Sequence, residues 1–367
     1  MSQQYDAVVY RGRFQGFHDA HLSTILLALE HGKKVIVVIG SAGEPRTFYR
    51  NPFYAVERIE VIKESLTFNP RRDDISFVEI EDNPSDEVWA DNVVASVNRE
   101  VGRLFEDTSK ETRVISYKVA QIGFKKDADC VRDVALFPDW EYISTPHFVP
   151  VNGTDVRDIL FSDKPLSFLR GVCPSGTVEF FERFRKTIDF AELMAEKKYV
   201  ENYRKAFASL EYEPTFVTGD NVAFQDDTVL LVKRKNHPGK GLWALPAGYF
   251  NAADRVTKRG EVVKADKTVF DCAVRELFEE TKANVTKEQL RDAVVGNAVF
   301  EAEGRDPRGR IVTHVFVYNF DGQEVFDVEA ADDADEVRRF HIREVHRRMM
   351  YADHYDIVRW AYSQYKN

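Results

Sequence analysis

Long apolar runs are missing from this chain: none approaches the ~20 residues that cross a bilayer, so no membrane partner is expected. Cysteine is scarce. The three present, Cys130, Cys173 and Cys272, are scattered, with neither metal-ligand spacing nor a disulfide framework. That usage predicts a reducing, cytoplasmic location, and Met1 to Tyr10 carries no basic region, apolar core and cleavage site of a secretory signal. Positive charge is in deficit, with 51 Lys and Arg against 61 Asp and Glu and a formal net charge of −10. A general nucleic-acid binder needs a basic face, so no nucleic-acid partner is expected. Small phosphorylated ligands stay compatible, because a local pocket can be positive on an acidic protein. Internal repeats and low-complexity tracts are absent as well.

What remains is folded-protein composition, 44% hydrophobic and 31% charged over 367 residues, a length that suggests two or three domains. Tyr5 to Tyr10 and Lys34 to Gly40 read as short buried strands with a loop and a helical stretch, His21 to Glu30, between them. This is a βαβ unit, hence a parallel sheet. Strand-like Ile75–Ile80 and Thr112–Ser116 alternate with helical Tyr54–Ser65 and Trp89–Phe105, and the alternation fades near Phe161. Thr177 to Leu210 reads as a helical connector. From Glu213 the character changes to strands, Phe216–Phe224, Val229–Arg234, Ala298–Phe300 and Val312–Phe320, around one strong helical stretch, Lys267–Lys282. The expected architecture is α/β over residues 1–165, a connector over 166–205, and an α+β domain over 206–367.

Two constellations carry chemistry. The first is the loop Gly12-Arg13-Phe14-Gln15-Gly16-Phe17-His18-Asp19-Ala20-His21. It follows a strand and opens a helix, where backbone N–H groups and the helix dipole receive phosphate. His18 and His21 are three apart and can face one ligand; Arg13 adds a guanidinium fork. A metal site is the competing reading of the two histidines, but no third ligand is obviously placed. The loop resembles the H-x-G-H motif of the nucleotidylyltransferase superfamily, in the form G-R-F-Q-P-F-H-x-G-H of archaeal-type nicotinamide-nucleotide adenylyltransferases. Gly16 stands for the proline and Ala20 for the second glycine. Val151-Asn152-Gly153-Thr154-Asp155-Val156-Arg157 resembles the family's I-S-G-T-x-I-R. Ile39–Ala42 with Asn51-Pro52-Phe53 and Glu57-Arg58, and Ile122–Asp127 with Phe137–Trp140, match as well.

The resemblance implies a Rossmann-like nucleotidyltransferase domain that joins ATP to nicotinamide mononucleotide, giving NAD and pyrophosphate. It implies that His18 and His21 contact the ATP phosphates, that Arg13 and Arg157 add positive charge, and that Gly12, Phe14, Asn152, Gly153 and Thr154 bind the nucleotide. Trp89 would stack on the nicotinamide ring, with a plain helix-face core residue as the alternative. Ser85 and Asp86 stand where an asparagine is expected upstream of it.

The second constellation is Ala273-Val274-Arg275-Glu276-Leu277-Phe278-Glu279-Glu280-Thr281. Glu276, Glu279 and Glu280 share one helix face and repel one another unless a cation neutralises them. A solvated acidic face is the alternative; the preceding Leu242–Gly248, a strand ending in a turn, favours the cation. The segment resembles the Nudix box, G-x5-E-x7-R-E-U-x-E-E-x-G-U. Gly248 and Arg275 are 27 apart where the box has 14, an excess of thirteen. Aligned from Arg275, the first glutamate position holds Lys267, while Asp254 has the right distance from Gly248; Lys282 replaces the last glycine. The resemblance implies that Glu276, Glu279 and Glu280, with the Ala247 carbonyl, bind Mg2+, Mn2+ being the alternative. Glu279 and Glu280 would be catalytic, and Glu301 or Glu303 are candidates for a general base. Leu-Pro-Ala-Gly is similar to the form in ADP-ribose pyrophosphatases.

The whole order is similar to bifunctional nicotinamide-nucleotide adenylyltransferase/Nudix hydrolases. It implies small-molecule partners (ATP, nicotinamide mononucleotide, NAD and ADP-ribose) and is compatible with a homo-oligomer. A second domain that acts on another nucleoside diphosphate derivative, or that senses ADP-ribose or NAD without cleaving it, is the alternative.

Overall fold

The computed structural model describes residues 4–105, 117–124, 134–146, 151–256, 260, 262–322, 328–330 and 334–366. The expected strand Thr112–Ser116, the matched Lys125–Asp127 and Cys130 lie outside the described residues. The chain forms two compact units, Met1–Met194 and Ala195–Asn367.

Unit 1 runs β1 (Tyr5–Gly12), α1 (Asp19–His31), β2 (Gly32–Ile39), α2 (Ala55–Ser65), β3 (Ile75–Glu79), α3 (Asp86–Phe105), β4 (Val119–Gly123), β5 (Glu141–Ser144), α4 (Gly153–Leu160) and α5 (Ser175–Phe184). A further helix, α6 (Ile188–Lys205), spans the division between the units. The five strands are all parallel, in the order β3-β2-β1-β4-β5. The continuous apolar run of β2 follows from burial on both faces. Val35, Val37 and Ile39 join one core with α1, α2 and α5; Ile36 and Val38 join the other with α3. Segment 166–194, expected to connect domains, instead supplies core to unit 1: Phe180, Phe181 and Phe184 cluster around Phe53.

Strand order places the crevice. The chain moves from β1 outward to β2 and β3, then returns to β4 and β5 on the other side, so the switch point lies beside β1. The Gly12–His21 loop leaves the carboxyl end of that strand.

Unit 2 contains β6 (Thr215–Gln225), β7 (Thr228–Arg234), β8 (Trp243–Ala244), β9 (Ala247–Tyr249), β10 (Arg255–Val256), β11 (Val262–Val263), α7 (Val269–Thr281), α8 (Lys287–Asp292), β12 (Val294–Phe300), β13 (Arg310–Asn319), β14 (Ala334–His341) and α9 (His354–Tyr365). Its main sheet is mixed, in the order β12-β13-β6-β7-β14, with β13 and β6 parallel and β8 and β9 paired at its margins. Val274 and Leu277 of α7 pack on one face of this sheet, and Ile357, Val358 and Ala361 of α9 on the other. The sequence pattern suggested one strong helix here, whereas the described residues contain three lying wholly in this unit. The thirteen-residue excess between Gly248 and Arg275 contains the antiparallel pair β10–β11. No helix among the described residues is long and apolar enough to cross a membrane.

Candidate active sites

In unit 1 the loop after β1 is pinned at several points. Gln15, 3% exposed, donates to the Phe53 carbonyl at 2.9 Å and accepts the Phe53 N–H at 3.0 Å. Phe14 and Phe17 are buried, and Phe14 lies at φ 53°, in the left-handed region. Gly16 has φ 121°, which the fixed negative φ of proline cannot reach, so this loop follows a path that the family's proline would not. A Cβ there would also sit 3.1 Å from the Gly153 carbonyl. Ala20 lies inside α1.

The two histidines come together. Their rings stack with centroids 3.7 Å apart, His18 preceding α1 and His21 in its first turn. His21 Nδ1 accepts the His18 backbone N–H at 3.4 Å, so a neutral His21 carries its proton on Nε2. His18 Nδ1 is buried without a partner. Burial holds the His18 imidazole down at about 4, with Asp155 opposing; burial and then His18 push His21 well below its ordinary value. Both rings are therefore neutral at pH 7.

The second matched segment closes on this loop. Asn152 caps α4 by accepting the Thr154 and Asp155 N–H groups at 2.9 and 3.0 Å. Arg157 donates to the Gln15 carbonyl at 2.8 Å and to Thr154 Oγ1 at 3.1 Å. Burial, then repulsion from Arg13, lowers the pKa of the Arg157 guanidinium, which marks a locally positive recess on an acidic protein. Gly12 needs its lack of a Cβ, which would lie 2.9 Å from the Phe14 ring.

Trp89 is half-buried on α3, edge-on to Phe137 at 5.9 Å, and its ring packs against the α3 core. The Arg11 guanidinium lies 3.9 Å from the Phe137 ring and donates to Gln121 at 2.8 Å. Ser85 begins α3, its Oγ accepting the Val88 N–H at 3.3 Å.

In unit 2, α7 presents Glu276, Glu279 and Glu280 to a cleft of about 610 Å³ also lined by Arg234, Arg305, Arg308, Tyr351 and His354. Arg275 organises two of the carboxylates, donating to Glu276 at 2.6 Å and Glu279 at 2.9 Å. Glu280 accepts the Ala247 N–H at 3.0 Å. Burial pushes the Glu276 carboxyl up to about 7 although Arg275 pulls it down. A Cβ on Gly248 would lie 2.1 Å from the Glu276 carboxyl carbon, so the glycine leaves room for Glu276 to sit where it does. Among the described residues no three His, Cys, Asp or Glu side chains already converge as a metal site.

Spacing alone missed Asp266. Its carboxylate, 5% exposed, takes both Nε and Nη2 of Arg275 at 2.9 Å. Lys267 is exposed, and Asp254 instead pairs with Lys264 at 2.7 Å. The only signal was an acid one residue from the expected position. Glu301 and Glu303 are exposed and do not line the cleft.

Residues 9–159 match a cytidylyltransferase-like family model and residues 217–361 a NUDIX domain model. The chain is 30% identical over 197 residues to a nicotinamide/nicotinic acid mononucleotide adenylyltransferase of Acinetobacter baylyi, covering 53% of this chain and 94% of that protein. It is 30% identical over 195 residues to an ADP-ribose pyrophosphatase of Methanocaldococcus jannaschii, covering 53% and 96%. A crystal structure of a bifunctional NMN adenylyltransferase/ADP-ribose pyrophosphatase from Francisella tularensis, complexed with AMP and a manganese ion, matches with a TM-score of 0.82 at 30% identity. That match covers 98% of this chain and 99% of the other.

Proposed function

The chain belongs to the family of bifunctional NMN adenylyltransferase/ADP-ribose pyrophosphatases, and from that premise we propose how each unit performs its reaction. Unit 1 forms NAD and pyrophosphate from NMN and ATP; unit 2 hydrolyses ADP-ribose to AMP and ribose 5-phosphate. The observation that carries this reading is the match over nearly the full length of both chains.

In adenylyl transfer a phosphate oxygen of NMN attacks the α-phosphorus of ATP and the bond to the departing pyrophosphate breaks. No covalent bond to the protein is needed, so positioning and electrostatics carry the rate. We assign His18 and His21 to the phosphate oxygens, His21 donating from Nε2. Neutral rings in a recess cost less to keep than buried imidazolium ions, and an entering polyphosphate favours their protonation. Arg13 and Arg157 offset charge on the leaving group. Gly12, Phe14, Asn152, Gly153 and Thr154 shape the nucleotide site, and Trp89, braced by Phe137, stacks on the nicotinamide.

In unit 2 the donor set is all oxygen, and three carboxylates share one helix face with Arg275 bonded to only two of them; both suit a hard divalent cation, Mg2+ or Mn2+. Glu276, Glu279, Glu280 and the Ala247 carbonyl would hold it. Bound there, such a cation neutralises the diphosphate and lowers the pKa of a coordinated water. Arg275 keeps Glu276 and Glu279 on the cleft side of α7.

Purified protein supplied with NMN, ATP and Mg2+ or Mn2+ is expected to release NAD and pyrophosphate. Supplied with ADP-ribose, it is expected to release AMP and ribose 5-phosphate, and EDTA is expected to stop the hydrolysis. ADP-ribose left intact while another nucleoside diphosphate derivative is cleaved would contradict the assigned substrate.

A further inference from the structure

We propose that Arg58 is a positioning residue for adenylyl transfer: its buried guanidinium fixes the Arg13–Phe14 peptide so that the Phe14 N–H points at a phosphate oxygen of ATP. The inference rests on the adenylyltransferase reading of unit 1 and adds a residue to it.

Arg58 lies on α2 and is 2% exposed. It forms no direct ion pair among the described residues; Glu79 and Asp82 act on it only through longer-range charge. Its hydrogen bonds go instead to three backbone carbonyls. Nη1 donates to Arg13 at 2.5 Å and Gly40 at 2.7 Å, and Nη2 donates to Ser41 at 3.1 Å. Those carbonyls belong to the segments that leave β1 and β2, adjacent parallel strands at the crevice. A guanidinium buried without a contacting carboxylate is a costly way to fill space, and an apolar side chain would avoid the cost.

The consequence lies at the next peptide. In a trans peptide the C=O and N–H point in opposite directions. With the Arg13 carbonyl turned toward Arg58, the Phe14 N–H faces away from it. That N–H has no acceptor among the described residues, although Phe14 is 3% exposed. Phe14 also sits at φ 53°, a conformation that a phenylalanine holds only when its surroundings impose it. In the same loop, His18 Nδ1 is buried and unpartnered. A polyphosphate anion supplies the acceptors this loop lacks, and Arg58 keeps the amide from turning inward to satisfy itself.

The test compares Arg58→Lys and Arg58→Met with the unchanged protein, reading kcat and KM for both substrates of NAD formation. Arg58→Met is expected to lower kcat about 100-fold, with KM for NMN within about threefold and ADP-ribose hydrolysis unchanged. Arg58→Lys keeps a charge but not the fork, so its kcat is expected to stay at least about tenfold down. If Arg58→Met fails to fold, Arg58→Lys decides alone. Recovery of kcat by lysine to within about threefold overturns the inference, since a bare charge would then suffice. Full kcat in a folded Arg58→Met overturns it too. Absence of NAD formation by the unchanged protein would instead remove the adenylyltransferase reading.

Discussion

Burial acts on the charge of single residues in both sites, and this makes their pH and substitution behaviour specific. His18 is 5% exposed and held at about 4, against about 6.5 in an unfolded chain. Its folded-state pKa is depressed, so between these values the unfolded chain binds more protons and stability falls as pH falls. The loss amounts to about 3 kcal/mol over that window. Denaturant titrations from pH 7 to pH 4 are expected to show a steeper loss for the unchanged protein than for His18→Gln; parallel curves would contradict it. In unit 2, Asp266 lies one residue before Lys267, which spacing aligns with the first glutamate of the box, and its carboxylate pairs with Arg275. Asp266→Asn removes the carboxylate that takes Nε and Nη2 of Arg275 and leaves the guanidinium to Glu276 and Glu279 alone, so it is expected to cut ADP-ribose hydrolysis at least about tenfold. Lys267→Glu points a carboxylate into solvent and is expected to change the rate less than about threefold. The reverse order in measured kcat would restore the spacing-based alignment.

At the scale of elements, the acidic helix of unit 2 depends on close approach to its sheet. A Cβ on Gly219 of β6 would lie 2.8 Å from the Ala273 N and 2.9 Å from the Val269 carbonyl, both backbone atoms of α7. Gly219→Ala therefore has to push the acidic helix off its sheet. Overpacking of this kind costs about 1–3 kcal/mol, and urea unfolding of unit 2 should show it together with slower ADP-ribose hydrolysis. Unit 1 and its NAD formation should be unaffected. Elements with local, repetitive signals were legible in the sequence: the apolar run of β2, the loop at Gly12–His21, and α7 with its three carboxylates. Elements whose burial depends on distant partners were not. In β14, Asp335, Glu336, Arg338 and Arg339 interrupt the apolar pattern, so pairing with β7 decides the strand. α9 hides its apolar stripe among Tyr and Trp residues, and only the far face of the unit 2 sheet accounts for it. Asp266 was illegible for a related reason: the β10–β11 excursion resets the count between Gly248 and Arg275.

The whole molecule joins a nucleotide-forming unit and a nucleotide-cleaving unit in one chain, each with its own core. On the proposed assignment, phosphate capture in one relies on imidazole, guanidinium and backbone donors, and hydrolysis in the other on carboxylates. No residue is shared between the two sets, so each activity should be separable by substitution. The most direct test measures NAD formation and ADP-ribose hydrolysis side by side in His18→Ala and in the double variant Glu279→Gln/Glu280→Gln. The first is expected to lose NAD formation and retain hydrolysis, and the second to lose hydrolysis and retain NAD formation. Loss of both activities in either folded variant would contradict two separate sites.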